Sequence, residues 1–281
     1  MNFHPAILLF ALSACLFSQN QPLELRSPLG REFHSIPDEK GVVAAAEKAL
    51  AEHPQDIKLI LKLAQAHASV WEDKEAVDVC TRGLAIDPAN VDLLVERGHR
   101  ELPLRRFTEA RDDLRRATKL DPKQSEAYYH LGLAHYFMGE FAPAADAFCK
   151  GRDLVTAQDS LVNFTNWCYV ALRRAGKEEE AAKALEKIPP AMQSNPGHTT
   201  FYFNLVRFYQ GLKTETDILP PRPTDTESEL SFDTIAYQLG NWHLYNGDAA
   251  KAREYFAQVS KGSVWVTWGF VGSESELIQS K

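Results

Sequence analysis

What this sequence lacks narrows it quickly. Only four of its 281 residues are cysteine, and no two stand in a CxxC pair, so neither a thioredoxin-type redox motif nor a structural zinc site is supported. No excess of positive charge exists: the net charge is −7, against the basic surface that nucleic-acid binding requires. GxSxG, the P-loop, GxGxxG and HExxH are all missing, so no common catalytic or cofactor signature is present. A long apolar run is also missing after residue 18.

The one apolar run is N-terminal. Residues 5–18 (PAILLFALSACLFS) carry no charge and are short for a bilayer span, which reads as the core of a signal peptide at 1–18. Its leading residues hold only His4 and no Lys or Arg. Leu12-Ser13-Ala14-Cys15 resembles the lipobox of bacterial lipoproteins, whose cysteine is lipidated, although apolar Leu16 and Phe17 follow. The expectation is export, either periplasmic or held at a membrane through a lipid on Cys15, with both outcomes open. Of the other cysteines, Cys80, Cys149 and Cys168 sit at core-like positions, and in an exported chain Cys149 and Cys168 are able to pair.

Hydrophobic residues make up 44% of the chain, enough for a sizeable core in one large or two ordinary domains. Pro54, Pro88 and Pro122 recur at an interval of 34, and the last two follow aspartate. Proline does not continue a helix interior, so each marks a break between helices. Between them lie pairs of helical stretches with apolar residues at i, i+3, i+4 and i+7.

Each unit is numbered from three residues after its proline. Position 8 then holds Ala64, Gly98 and Gly132, position 20 holds Ala76, Ala110 and Ala144, and position 27 holds Gly83, Ala117 and Gly151. Small residues belong where two helices of a hairpin cross closely, and Leu114 and Phe148 at position 24 fill the space between. This pattern resembles the tetratricopeptide repeat (TPR). The resemblance implies an all-α fold, a TPR-type α-solenoid of antiparallel helix hairpins in a right-handed superhelix. Trp71 and Arg105 depart from it by standing where glycine is usual, Tyr169 replaces a small residue, and Pro103 ends its helix early.

The expected layout is an extended segment at 19–37, a helix at 38–53, and repeats at about 57–90, 91–124, 125–158 and 162–193. An atypical unit follows at 198–220, then a polar, proline-rich linker at 214–229, a repeat at 233–262 and a terminal helix at 264–279. Gly176, Ala181 and Leu185 mark the fourth repeat. Leu239, Gly240, Gly247, Ala252 and Phe256 mark the last. The aromatic stripe of 198–212 (Phe201, Tyr202, Leu205, Phe208, Tyr209, Leu212) is read as core. VRFYQGLKTETDIL and the Tyr237–Ser260 stretch are similar to the ending of NlpI-type TPR lipoproteins. That similarity implies an envelope adaptor that dimerises and serves a protease or cell-wall enzyme.

No residues assemble into an active site. His130 and His135 are about 140° apart around a helix and do not chelate one metal. His67, His135 and His243 share position 11 and read as packing. The basic run from Arg97 to Lys119 is interleaved with acids and reads as a solvated face. The expectation is therefore a non-enzymatic adaptor, with no cofactor or metal and no nucleic-acid partner.

Binding is expected on the concave face of the first helices. In the TPR pattern positions 2, 5, 9, 12 and 13 face that groove, which selects Glu126, Tyr129, Leu133, Tyr136 and Phe137 in the third unit. Neighbouring units add Lys58, Gln65, His99, Asn163, Asn166 and Arg173. Three exposed aromatics would suit an apolar peptide or protein segment, or the chain's own terminal helix. Tyr128 is expected in the hairpin core and Tyr129 in the groove. A homodimer through helix 198–212 or the C-terminal helix is the alternative, and a hydrolase with an unrecognised site is a distant one.

Overall fold

A computed structural model describes residues 21–194 and 200–279, so the signal-peptide reading and Cys15 lie outside the described residues. The chain divides into two compact units, Met1–Pro88 and Ala89–Lys281. Apart from one small sheet, its described elements are helices paired as the hairpins of an all-α solenoid. None of the described helices is long and apolar enough to cross a membrane.

The first unit opens with an antiparallel hairpin where an extended segment is expected. Strand β1 (Leu23–Arg26) pairs with β2 (Glu32–His34) in the register Leu25↔Phe33. The Ser27 hydroxyl accepts from the Leu29 and Arg31 amides to close the turn. Phe33 is buried, the Ile36 amide donates to the Val70 carbonyl, and the Lys74 ammonium reaches the Leu23 carbonyl at 2.6 Å. Helices α1 (Val42–Glu52), α2 (Ile57–Ser69) and α3 (Asp73–Ile86) complete the unit. Asp56 starts α2 by accepting from the Lys58 and Leu59 amides.

The second unit holds α4 (Val91–Glu101), α5 (Phe107–Leu120), α6 (Ser125–Phe137), α7 (Phe141–Arg152), α8 (Gln158–Arg174) and α9 (Glu178–Leu185). It continues through α10 (Thr200–Tyr209), α11 (Glu215–Ile218), α12 (Thr226–Tyr245), α13 (Ala249–Val259) and α14 (Trp268–Gln279). A Cβ on Gly132 would stand 2.6 Å from the Phe148 ring, and one on Gly98 2.7 Å from Leu114. These pairs are why position 8 is small opposite a bulky position 24.

Every hairpin turn has the same hydrogen bond, from the amide at position 16 to the carbonyl at position 11. In the second unit it joins Arg106 to Glu101, Glu140 to His135, Lys177 to Leu172 and Asp248 to His243, each at 2.9–3.0 Å. The residue before that amide takes a positive φ. Glycine supplies it at Gly139, Gly176 and Gly247, but Arg105 adopts φ 59°, as Trp71 adopts φ 60° in the first unit. The same bond, from the Leu212 amide to the Arg207 carbonyl, ends α10. That makes α10 the first helix of a unit whose second helix is the four-residue α11.

Three position-11 histidines gain an acidic partner five residues on or nearby. His67 Nδ1 stands 2.7 Å from Glu72, His135 Nδ1 2.5 Å from Glu140, and His243 Nε2 2.9 Å from Glu215. They lock turns and helix contacts, a more specific duty than packing.

Candidate recognition surface

The residues expected in the groove lie on the first helices of the second unit, and other helices of the same unit pack against those helices. Helix α6 packs against α5 and α7, while α8 packs against α7, α9, α10 and α12. Helix α14 then packs on α12, α13 and α6. The expectation of exposed aromatics is thereby corrected. Tyr136 is 1% exposed, Phe137 2%, and Leu133 and Asn166 are fully buried.

Glu126 alone of the third-unit set stays exposed. Tyr129 is half-buried and meets the rings of Phe148 and Phe164 edge-on at 6.0 and 5.5 Å. Burial, with Tyr202 beside it, pushes its phenol well above the ordinary value. Tyr128, expected in the core, is only half-buried. The aromatic contacts that anchor this turn of α6 therefore belong to the residue assigned to the groove.

His99 is half-buried and stacks on His130 with ring centroids 4.0 Å apart, and Trp268 of α14 stands 5.4 Å from it. Burial lowers both imidazoles, with His130 taken to about 3, so the stack is neutral. Asn163 is half-buried. Arg173 lies over the Tyr245 ring at 4.4 Å and donates to the Tyr169 hydroxyl and to Asn246.

Three side chains, those of Tyr136, Arg174 and Arg105, grip the covering helices, and Arg174 is the one that the sequence reading missed. Tyr136 donates to Asn241 Oδ1 of α12 at 2.7 Å, and Arg174 donates to the same oxygen at 2.6 Å. Arg174 also pairs with Glu276 of α14 at 2.6 Å. Arg105 pairs with Glu274 of α14 at 2.5 Å, and its guanidinium also lies near the rings of Trp265 and Phe270. Helix α14 comes this close because its face is small: a Cβ on Gly269 would collide with the Asp233 backbone, and one on Gly272 with the Tyr237 ring. The sequence signal for this role was present at Arg105, the non-glycine residue at a glycine position.

Helix α10 buries Tyr202, Leu205, Val206 and Arg207, while Phe201, Phe208 and Tyr209 are half-buried and Leu212 is 54% exposed. The stripe read as core is thus core on one side only. Beside it, a cleft of about 470 Å³ opens between α10, α11 and α12, with Phe201, Ile218, Pro220, Leu230 and Ile235 as its apolar lining. Thr200, Asn204, Glu227 and Ser231 complete the wall. Among the described residues no group of three or more His, Cys, Asp or Glu is arranged to hold a metal.

The family model for the TPR repeat matches residues 105–139, which are α5 and α6 with their flanking turns. A crystal structure of MamA is 24% identical over 53% of this chain and 85% of its own, with a TM-score of 0.47. YrrB, described as a TPR protein with an unusual peptide-binding site, is 16% identical over 78% of this chain and 92% of its own, with a TM-score of 0.48. No curated protein matches the chain.

Proposed function

We propose that this chain is an exported, non-enzymatic scaffold that binds an apolar segment of a partner protein in the cleft between α10, α11 and α12. The cleft is the observation that carries the reading. Its apolar lining includes Leu230, which is 42% exposed, and polar side chains line it as well. Apolar surface open to a partner beside polar side chains is what a protein-binding hot spot uses. The first-helix face is the weaker candidate, because α12 and α14 already fill it.

Export is supported by the N-terminal apolar run and by the disulfide between Cys149 and Cys168, since such bonds persist in oxidising compartments. The envelope-adaptor role and a lipid on Cys15 extend the same reading. The homodimer alternative keeps only α10 as an open surface, because α14 is buried from Gly269 to Leu277.

Leu230→Asp in the full chain tests the assignment by crosslinking in the native envelope followed by mass spectrometry. Loss of partner crosslinks to residues 200–235 is the expected result, with folding verified by circular dichroism. Partner crosslinks that persist unchanged would remove the cleft as the binding site. Crosslinks only between copies of this chain would favour the homodimer.

A further inference from the structure

The second unit carries a different site, lined by residues of α7, α8 and α9. The Cys149–Cys168 disulfide joins α7 to α8, and both cysteines lie in the lining of a cleft of about 340 Å³. The two cysteines differ in access: Cys149 is half-buried, whereas Cys168 is 0% exposed. Arg152 also lines the cleft. Its Nε and Nη2 donate to Asp153 at 3.1 Å, which fixes the guanidinium with Nη1 at 3.4 Å from Cys168 Sγ. Exposed Lys183, on α9, and exposed Lys187, in the turn that follows it, also line the cleft, with Asp146 and Glu180.

We propose that this cleft is a thiol-exchange site at which a low-molecular-weight thiol bearing carboxylates modifies Cys149. The incoming thiolate attacks Cys149 Sγ, the reachable sulfur, and forms a mixed disulfide with it. The Cys149–Cys168 bond breaks, and its electron pair leaves on Cys168 Sγ as a thiolate. One disulfide replaces another: the incoming sulfur is oxidised as Cys168 Sγ is reduced, so the small thiol is itself the reductant and no further oxidant or reductant is needed. The guanidinium of Arg152 is already placed against the sulfur that becomes negative, which makes Cys168 the better leaving group. Lys183 and Lys187 supply the positive charge that a carboxylated thiol seeks and an uncharged thiol does not. The reaction would unfasten α7 from α8 and leave Cys149 marked.

The test uses the full, disulfide-bonded chain with reduced glutathione as the probe, N-ethylmaleimide to trap free thiols, and peptide mass mapping. Glutathione is expected on Cys149 and the maleimide on Cys168, without denaturant. Arg152→Ala should slow the exchange by about threefold or more, and Arg152→Lys should restore much of it. Lys183→Ala with Lys187→Ala should slow exchange with glutathione but not with 2-mercaptoethanol. An adduct on Cys168 or Cys80, exchange only in urea, or equal slowing for both thiols would overturn the proposal. Circular dichroism of each variant separates these results from loss of fold.

Discussion

Arg105, in the turn between α4 and α5, is ion-paired at 2.5 Å with Glu274 of the terminal helix, 169 residues further along the chain. Both side chains are buried, at 7% and 1% exposure. Arg105 makes this contact from the left-handed backbone conformation that its turn imposes, where a glycine would have been free of strain. The turn of one repeat is thus also the clamp for the helix that covers its neighbours.

That double duty separates two substitutions at one position. Arg105→Ala keeps the strained Cβ and leaves Glu274 buried without its cation, so it should cost about 3 kcal/mol or more in urea unfolding. Arg105→Gly loses the same pair but relaxes the backbone, and should be about 1 kcal/mol more stable than the alanine variant. Equal stability of the two variants would show that the turn carries no strain.

Burial sets the pH response of Asp233, on α12. Its carboxyl is raised to about 8, with burial the largest cause, partly offset by the Thr267 hydroxyl that donates to it at 3.1 Å. Between the ordinary carboxylate range and pH 8 the folded chain keeps this proton and the unfolded chain loses it. The contribution is therefore fully present at low pH and lost as pH rises towards 8. Glu101, also raised to about 8 by burial, adds a change of the same sign. Asp233→Asn should stabilise the protein on the order of 2 kcal/mol at pH 8 and flatten the decline between pH 5 and 8. Denaturant titrations at a series of pH values check both statements.

The Cys149–Cys168 disulfide closes a loop of 19 residues across the α7–α8 turn. In the chain-entropy description its removal by Cys149→Ala with Cys168→Ala should cost about 3 kcal/mol. Differential scanning calorimetry of the variant against the oxidised parent measures the difference.

The repeat architecture was legible because prolines and small residues recur at fixed offsets, and those offsets are dictated by local geometry. Gly132 faces Phe148 as its position requires, and Gly139, Gly176 and Gly247 take the positive φ their turns demand. The state of the first-helix face was not legible in the same way. Tyr136 and Phe137 occupy groove positions in the pattern, yet what covers them is fixed by contacts from Asn241, Glu276 and Trp268, over a hundred residues later. The WGFVGSESELIQ segment carries little amphipathic signal because it is buried nearly all round, with its glutamates answered by arginines. The hairpin at 23–34 escaped for another reason: its strands are four and three residues long, and only Phe33 of β2 is buried.

Hydrogen–deuterium exchange tests the cis filling of the first-helix face most directly. If α14 is an integral cover, its amides and those of α6 around Tyr136 should exchange slowly and open together as one cooperative unit. Glu274→Gln with Glu276→Gln should then speed exchange in both segments. Rapid exchange of α14 while α6 and α12 stay protected would contradict the account and return the first-helix face to the list of open binding surfaces.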